Sequence, residues 1–107
     1  MSESDSFSYE LALPLTLTRV AHTSVSIFGQ TNRLSIQAAE FEIGLALQVG
    51  VRIEFVISLP SGDSASTSLY CWGRVAHVEA SLAGFMVTAS IERYRFARQP
   101  RAGMPGA

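Results

Sequence analysis

Between Phe41 and Leu59 every second residue is apolar, through Ile43, Leu45, Leu47, Val49, Val51, Ile53, Phe55 and Ile57, with mostly polar or small residues between them. Side chains alternate faces along a strand but return to one face every three to four residues on a helix. A two-residue period held this long therefore specifies β-structure with one face on a core and the other toward water. A single strand of that length is too long for a small domain. Gly50 is expected to divide it, leaving a loop over 44–49 and a strand over 51–59. A helix over 38–47 competes for the first half, because Ala38, Phe41, Leu45 and Val49 also fall at helical spacing. The strand reading is preferred.

Similar patterns recur along the chain. Tyr9, Leu11, Leu13, Leu15 and Leu17 alternate with Glu10, Ala12, Pro14, Thr16 and Thr18, which reads as a first strand. Pro14 has no N–H to give to a ladder, so that segment is expected to be extended chain or an edge strand. Residues 24–28 and 33–41 read as two further strands, with Gly29-Gln30-Thr31-Asn32 as the turn between them. Pro60 to Ser64 carries turn chemistry. A strand follows over 69–78, in which Gly73 marks a bulge or a close backbone approach. A turn at 80–84 and a last strand over 85–96 complete the set. Six short strands with almost no helical signal predict an all-β fold, a small barrel or sandwich.

At 107 residues, 48% of them hydrophobic and 16% charged, the chain suits one domain with a single core. The expected division is a flexible acidic N-terminal tail over 1–8, a domain over 9–98 and a flexible Pro/Gly/Ala-rich tail over 99–107. No apolar run approaches the roughly 20 residues of a membrane-spanning helix, and the opening Met-Ser-Glu-Ser-Asp-Ser lacks a signal-peptide core. A cytoplasmic protein with no membrane insertion is expected. The one cysteine, Cys71, has no internal disulfide partner, as suits a reducing compartment. A net charge of -1 argues against nucleic acid as a partner.

Catalytic chemistry is sparse. Cys71 and His77 are the only nucleophile and base close in sequence, but six positions on a strand separate them by about 20 Å. Two histidines and one cysteine with no close pair do not make a metal site, and no cofactor is called for. Glu40 and Glu42 flank Phe41 as a solvated charged face. An enzyme is not expected. All eight basic residues are arginine, and Arg93, Arg95, Arg98 and Arg101 crowd the C-terminal end. The guanidinium fork suits phosphate, guanine or carboxylate, and the same cluster also suits a solvated basic tail. Tyr70, Trp72 and Arg74 alternate on one strand face, as do Glu92, Tyr94 and Phe96 beside Arg93 and Arg95. Arg93, Tyr94 and Arg95 are the candidate partner surface, since arginine and tyrosine are favoured binding anchors.

The stretches Thr31-Asn32-Arg33-Leu34-Ser35-Ile36-Gln37-Ala38, Leu47-Gln48-Val49-Gly50-Val51-Arg52-Ile53-Glu54-Phe55-Val56-Ile57-Ser58-Leu59-Pro60, Trp72-Gly73-Arg74-Val75-Ala76-His77-Val78 and Ile91-Glu92-Arg93-Tyr94-Arg95-Phe96 resemble the PilZ family. The resemblance runs from about Leu11 to Arg98. It implies a six-stranded antiparallel β-barrel, finished by a turn or a short helix, in a bacterial regulatory protein. Many such domains are receptors for cyclic di-GMP. Their signature is Arg, three residues, Arg ahead of the barrel, then Asp/Asn-x-Ser-x-x-Gly early in it. Here the second motif aligns on Ser35, placing Arg33 where an acid or amide is expected and Ala38 where glycine is expected. For the first motif, Arg19 is the only arginine ahead of the barrel. The resemblance thus implies a non-enzymatic regulatory module with a degenerate messenger site and an unidentified protein partner. Its alternative is a cyclic di-GMP receptor with non-standard ligands, using Arg19, Arg33, Ser35 and Arg74.

Overall fold

A computed structural model of the chain describes residues 8–9, 12–60 and 65–100, with side chains described over 12–60 and 67–98. The strands are β1 (Ser8–Tyr9), β2 (Pro14–Val20), β3 (Thr23–Ser35), β4 (Ala38–Ile43), β5 (Arg52–Pro60), β6 (Ala65–Ser81) and β7 (Gly84–Pro100). Every pairing is antiparallel, and β2 to β7 close into a six-stranded barrel in the order β3-β2-β5-β6-β7-β4, with β4 returning to β3. The two-residue β1 continues the line of β2 along β3. The described residues contain no helix, hence none long and apolar enough to cross a membrane.

The alternating run resolves into β4, a connection over 44–51, and β5. Phe41, Ile43, Ile53, Phe55 and Ile57 are buried, and the Phe41 and Phe55 rings meet at 5.4 Å between centroids. Within the connection Leu47 is buried and closes one end of the barrel, whereas Val49 is 66% exposed and leaves the pattern. Two backbone hydrogen bonds hold this connection to β6, from Gly50 N–H to the Val75 carbonyl at 2.7 Å and from Val75 N–H to the Val51 carbonyl at 3.0 Å. Pro14 opens β2 one residue before β5 begins to pair with it, where no ladder donor is needed.

The expected turn at Gly29-Gln30-Thr31-Asn32 does not exist; these residues lie inside the 13-residue β3. The first part of β3 pairs with β2, up to Pro14 opposite Gln30, and the later part with β4, from Gly29 opposite Ile43 to Leu34 opposite Ala39. Glycine is required at position 29 for space, because a Cβ there would sit 2.5 Å from the Glu42 carbonyl oxygen. Thr31 is buried, and its hydroxyl accepts the Leu13 N–H at 2.8 Å while its own N–H donates to the Leu13 carbonyl at 2.9 Å. The real turn is Ile36-Gln37, where Ser35 Oγ accepts the N–H groups of Gln37 and Ala38, each at 3.2 Å. The tails expected over 1–8 and 99–107 fall largely outside the described residues, although Ser8 pairs with Ser35 and β7 continues to Pro100.

β6 and β7 are 17 residues each and form one long hairpin through Leu82-Ala83. Gly73 is buried in β6 against its neighbour, and a Cβ on it would run into the Ser90 carbonyl. Beside it Trp72 faces Arg93 and Gly73 faces Ile91, so Glu92 is an extra residue, a β-bulge. Gly73→Ala is therefore expected to cost roughly 1–3 kcal/mol or more through enforced overpacking. Gly44→Ala, where nothing lies within 4 Å of the added carbon, should be close to neutral. Denaturant midpoints compared at unchanged slope check this, and equal midpoints for the two variants would refute it.

Candidate functional site

The bulge sets which way the upper half of β7 faces. Side chains alternate along a strand, so Ile91 and Tyr94, three apart, would face opposite sides of a regular β7. The extra residue at Glu92 turns Tyr94 and Phe96 to the same side as Ile91, toward the barrel axis, and Arg93 and Arg95 to the outside. The expected shared face of Glu92, Tyr94 and Phe96 is thereby corrected: Glu92 points outward and accepts a 3.0 Å hydrogen bond from Arg74 Nε.

The inward residues line a cavity of about 400 Å³ at the end of the barrel opposite Leu47. Leu13 precedes β2, Leu34 and Ser35 end β3, Ile36 begins the following turn, Leu59 and Pro60 end β5, Leu69 comes from β6, and Ile91, Tyr94 and Phe96 come from β7. Ser35 and the Tyr94 hydroxyl are its side-chain polar groups. The aromatic rings of Tyr94 and Phe96 meet edge-on at 5.8 Å, yet Phe96 remains 58% exposed and Ile36 43%. The residues of this mouth are spread from 13 to 96, and sequence reading singled out only Ser35 and Tyr94 among them. Ile36 carried a usable signal: an isoleucine in a tight turn gains nothing from the turn itself.

Outside the same strands, the Arg93 guanidinium lies 4.3 Å from the Trp72 ring centroid and that of Arg95 lies 4.8 Å from Tyr70. Cation–π contact of this kind holds a guanidinium in place without neutralising its charge. No carboxylate pairs with Arg93, Arg95 or Arg98 among the described residues.

The candidate messenger ligands are dispersed. Arg19 stands within β2, not ahead of the barrel, and pairs with Glu54 at 3.4 Å. Its cross-strand neighbour on β3 is Ser24, whereas Arg33 lies nine positions further, about 30 Å along the strand. Arg74 shares the outer wall with Arg19 at two strands' remove and is held by Glu92 and by the Gly50 carbonyl at 3.4 Å. Ser35 lies at the mouth, its hydroxyl committed to the turn. Glu40 accepts a 2.7 Å hydrogen bond from Asn32 Nδ2, and Glu42 accepts one from the Ser81 hydroxyl at 2.5 Å.

Cys71 faces the core opposite Tyr94, while His77 stands outside near Glu79 and His22 lies in the β2–β3 turn. Burial pushes the Cys71 thiol up from 9.0 to about 12, since a thiolate there would be desolvated. Neither histidine can reach it. Between about pH 9 and pH 12 the unfolded thiol is deprotonated while the folded one keeps its proton, so this group's contribution to stability falls as pH rises through that window. Native chain should resist a thiol-specific disulfide reagent at pH 8 and react promptly in denaturant; fast labelling of the folded chain would contradict the assignment. Among the described residues no three histidine, cysteine, aspartate or glutamate side chains gather as metal ligands. No protein-family model, curated protein or solved structure matches this chain.

Proposed function

We propose that this barrel is a non-enzymatic, PilZ-like regulatory module of the bacterial cytoplasm that works by binding a protein partner at its open mouth. The observation that carries the reading is the apolar cavity of about 400 Å³ with Ile36, Tyr94 and Phe96 exposed at its rim. Monomeric proteins rarely leave grouped large apolar side chains in water unless something covers them. Tyr94 sits between Arg93 and Arg95, so one short segment of β7 offers aromatic surface on one side and charge on the other. The resemblance in sequence supports the regulatory class, and the six-stranded antiparallel closure agrees with it.

Cyclic di-GMP binding is the competing reading, favoured by the arginines of the outer wall and by Ser35 at the mouth. Against it stands the separation of Arg19 from Arg33, because a single ligand gains affinity from several forks only when they converge. Calorimetry with cyclic di-GMP should give no saturable heat up to millimolar ligand. Micromolar binding that Arg19→Ala or Arg33→Ala weakens would transfer the assignment to the receptor reading. In parallel, immobilised chain should retain a partner from an extract of its source organism. Phe96→Ser and Ile36→Ser, substitutions at exposed positions, should lose that partner at least tenfold while melting like the native chain. Undiminished retention by both would overturn the mouth as the binding site.

A further inference from the structure

Above Ile91, β7 has a neighbour on one side only. β4 accompanies it from Phe85 to Ser90, and the last contact is the Ile91 N–H donating to the Gln37 carbonyl at 2.9 Å. From Glu92 upward, β7 pairs with β6 alone among the described residues. Every second residue there presents its backbone N–H and C=O to an edge beside the mouth that no other described strand pairs with. Such an edge templates an added strand unless something blunts it.

We infer that this edge binds an extended segment of a partner protein in which apolar and acidic residues alternate, added as a further strand. The inference rests on the protein-interaction reading above and specifies the chemistry of the partner. An added strand would alternate its side chains across the same two faces as β7. On the inner face its neighbours would be Ile91, Tyr94 and Phe96 at the rim of the cavity, which call for apolar groups. On the outer face they would be Arg93 and Arg95, whose charges no carboxylate meets among the described residues. Glu92, the one acid in β7, is already taken by Arg74. Arg98, two positions beyond Phe96, falls on the inner face by the same alternation and is not part of this outer cationic row.

The same charges argue against a second copy of this chain as the occupant. Two β7 edges paired antiparallel would set arginines against arginines, and like charges opposite one another destabilise a strand pair. The chain's own Met-Ser-Glu-Ser-Asp-Ser-Phe fits poorly for a different reason. Glu3, Asp5 and Phe7 share one parity, so acids and the aromatic would fall on one face and serines on the other.

The test uses purified full chain and an end-blocked eight-residue peptide alternating glutamate and valine, followed by calorimetry and by the fluorescence of Trp72, the only tryptophan. The acidic peptide should bind saturably, and a lysine-valine peptide at least tenfold more weakly. The double variant Arg93→Glu/Arg95→Glu should reverse that preference. Two further peptides, N-methylated at every glutamate or at every valine, remove donors from one edge each. One of them should lose binding and the other keep it. Equal binding by both would overturn edge pairing, as would failure of the unmethylated peptide to bind.

Sedimentation showing a dimer that the peptide dissociates would assign the edge to a second copy and overturn a foreign partner. A tenfold gain in affinity on deleting residues 1–7 would assign it to the chain's own N-terminal segment, with the same consequence. If no peptide binds while Phe96→Ser still loses its partner from extract, the added-strand inference falls and the mouth remains. If that variant retains its partner, the interaction reading falls on its own evidence.

Discussion

The close approach of β6 to β7 at Gly73 governs both faces of the upper barrel. Only glycine lets the Ser90 carbonyl come so near, and the bulge beside it absorbs one residue, Glu92. That single extra residue reverses the parity of everything above it on β7. Tyr94 and Phe96 turn inward to the mouth, and Arg93 and Arg95 turn outward over Trp72 and Tyr70. With a regular ladder the aromatics would be outside and the arginines would be aimed into an apolar cavity, where an unpaired charge is costly. One backbone contact thus separates the apolar surface from the cationic surface of the same strand.

A second constraint closes the barrel. β3 is longer than either strand it serves and passes from β2 to β4 near Gly29 to Thr31. At the crossover a backbone needs a partner on each side and no room is left for a side chain at 29. The buried Thr31 hydroxyl takes the Leu13 N–H that the ladder itself no longer reaches. The hydroxyl therefore functions as part of the sheet.

These two sites explain where sequence reading succeeded and where it failed. β5 was legible because its alternation is strict and one side is buried all along, from Ile53 to Ile57. The glycine at 73 was legible as a bulge or a close backbone approach, since a glycine inside a strand pattern has few other uses. It proves to be the close approach, with the extra residue opposite it at Glu92. Gly29-Gln30-Thr31-Asn32 misled because a crossover needs small and polar residues for packing and hydrogen bonding, and a turn needs the same residues for dihedral reasons. The mouth was illegible for want of any local pattern: Leu13, Leu34, Leu59 and Leu69 each read as ordinary core, and Phe96 was placed on a shared face with Glu92. They come together around one cavity only when β5, β6 and β7 outrun β4 at one end. The register of Arg93 to Phe96 could not be read without knowing that Glu92 is skipped.

The asymmetry of the two barrel ends has a consequence for hydration. Leu47 stoppers one end, whereas the other opens into about 400 Å³ lined almost wholly by hydrocarbon. At liquid density that space corresponds to on the order of a dozen water molecules. Facing leucine, isoleucine and aromatic carbon, such molecules find few hydrogen-bonding partners in the walls. Their release on filling the mouth contributes favourable free energy that is insensitive to salt, unlike attraction to the arginines outside. A partner of the kind proposed would thus draw on two terms that ionic strength can separate, one from the solvent the mouth gives up and one from the charge the outer face displays.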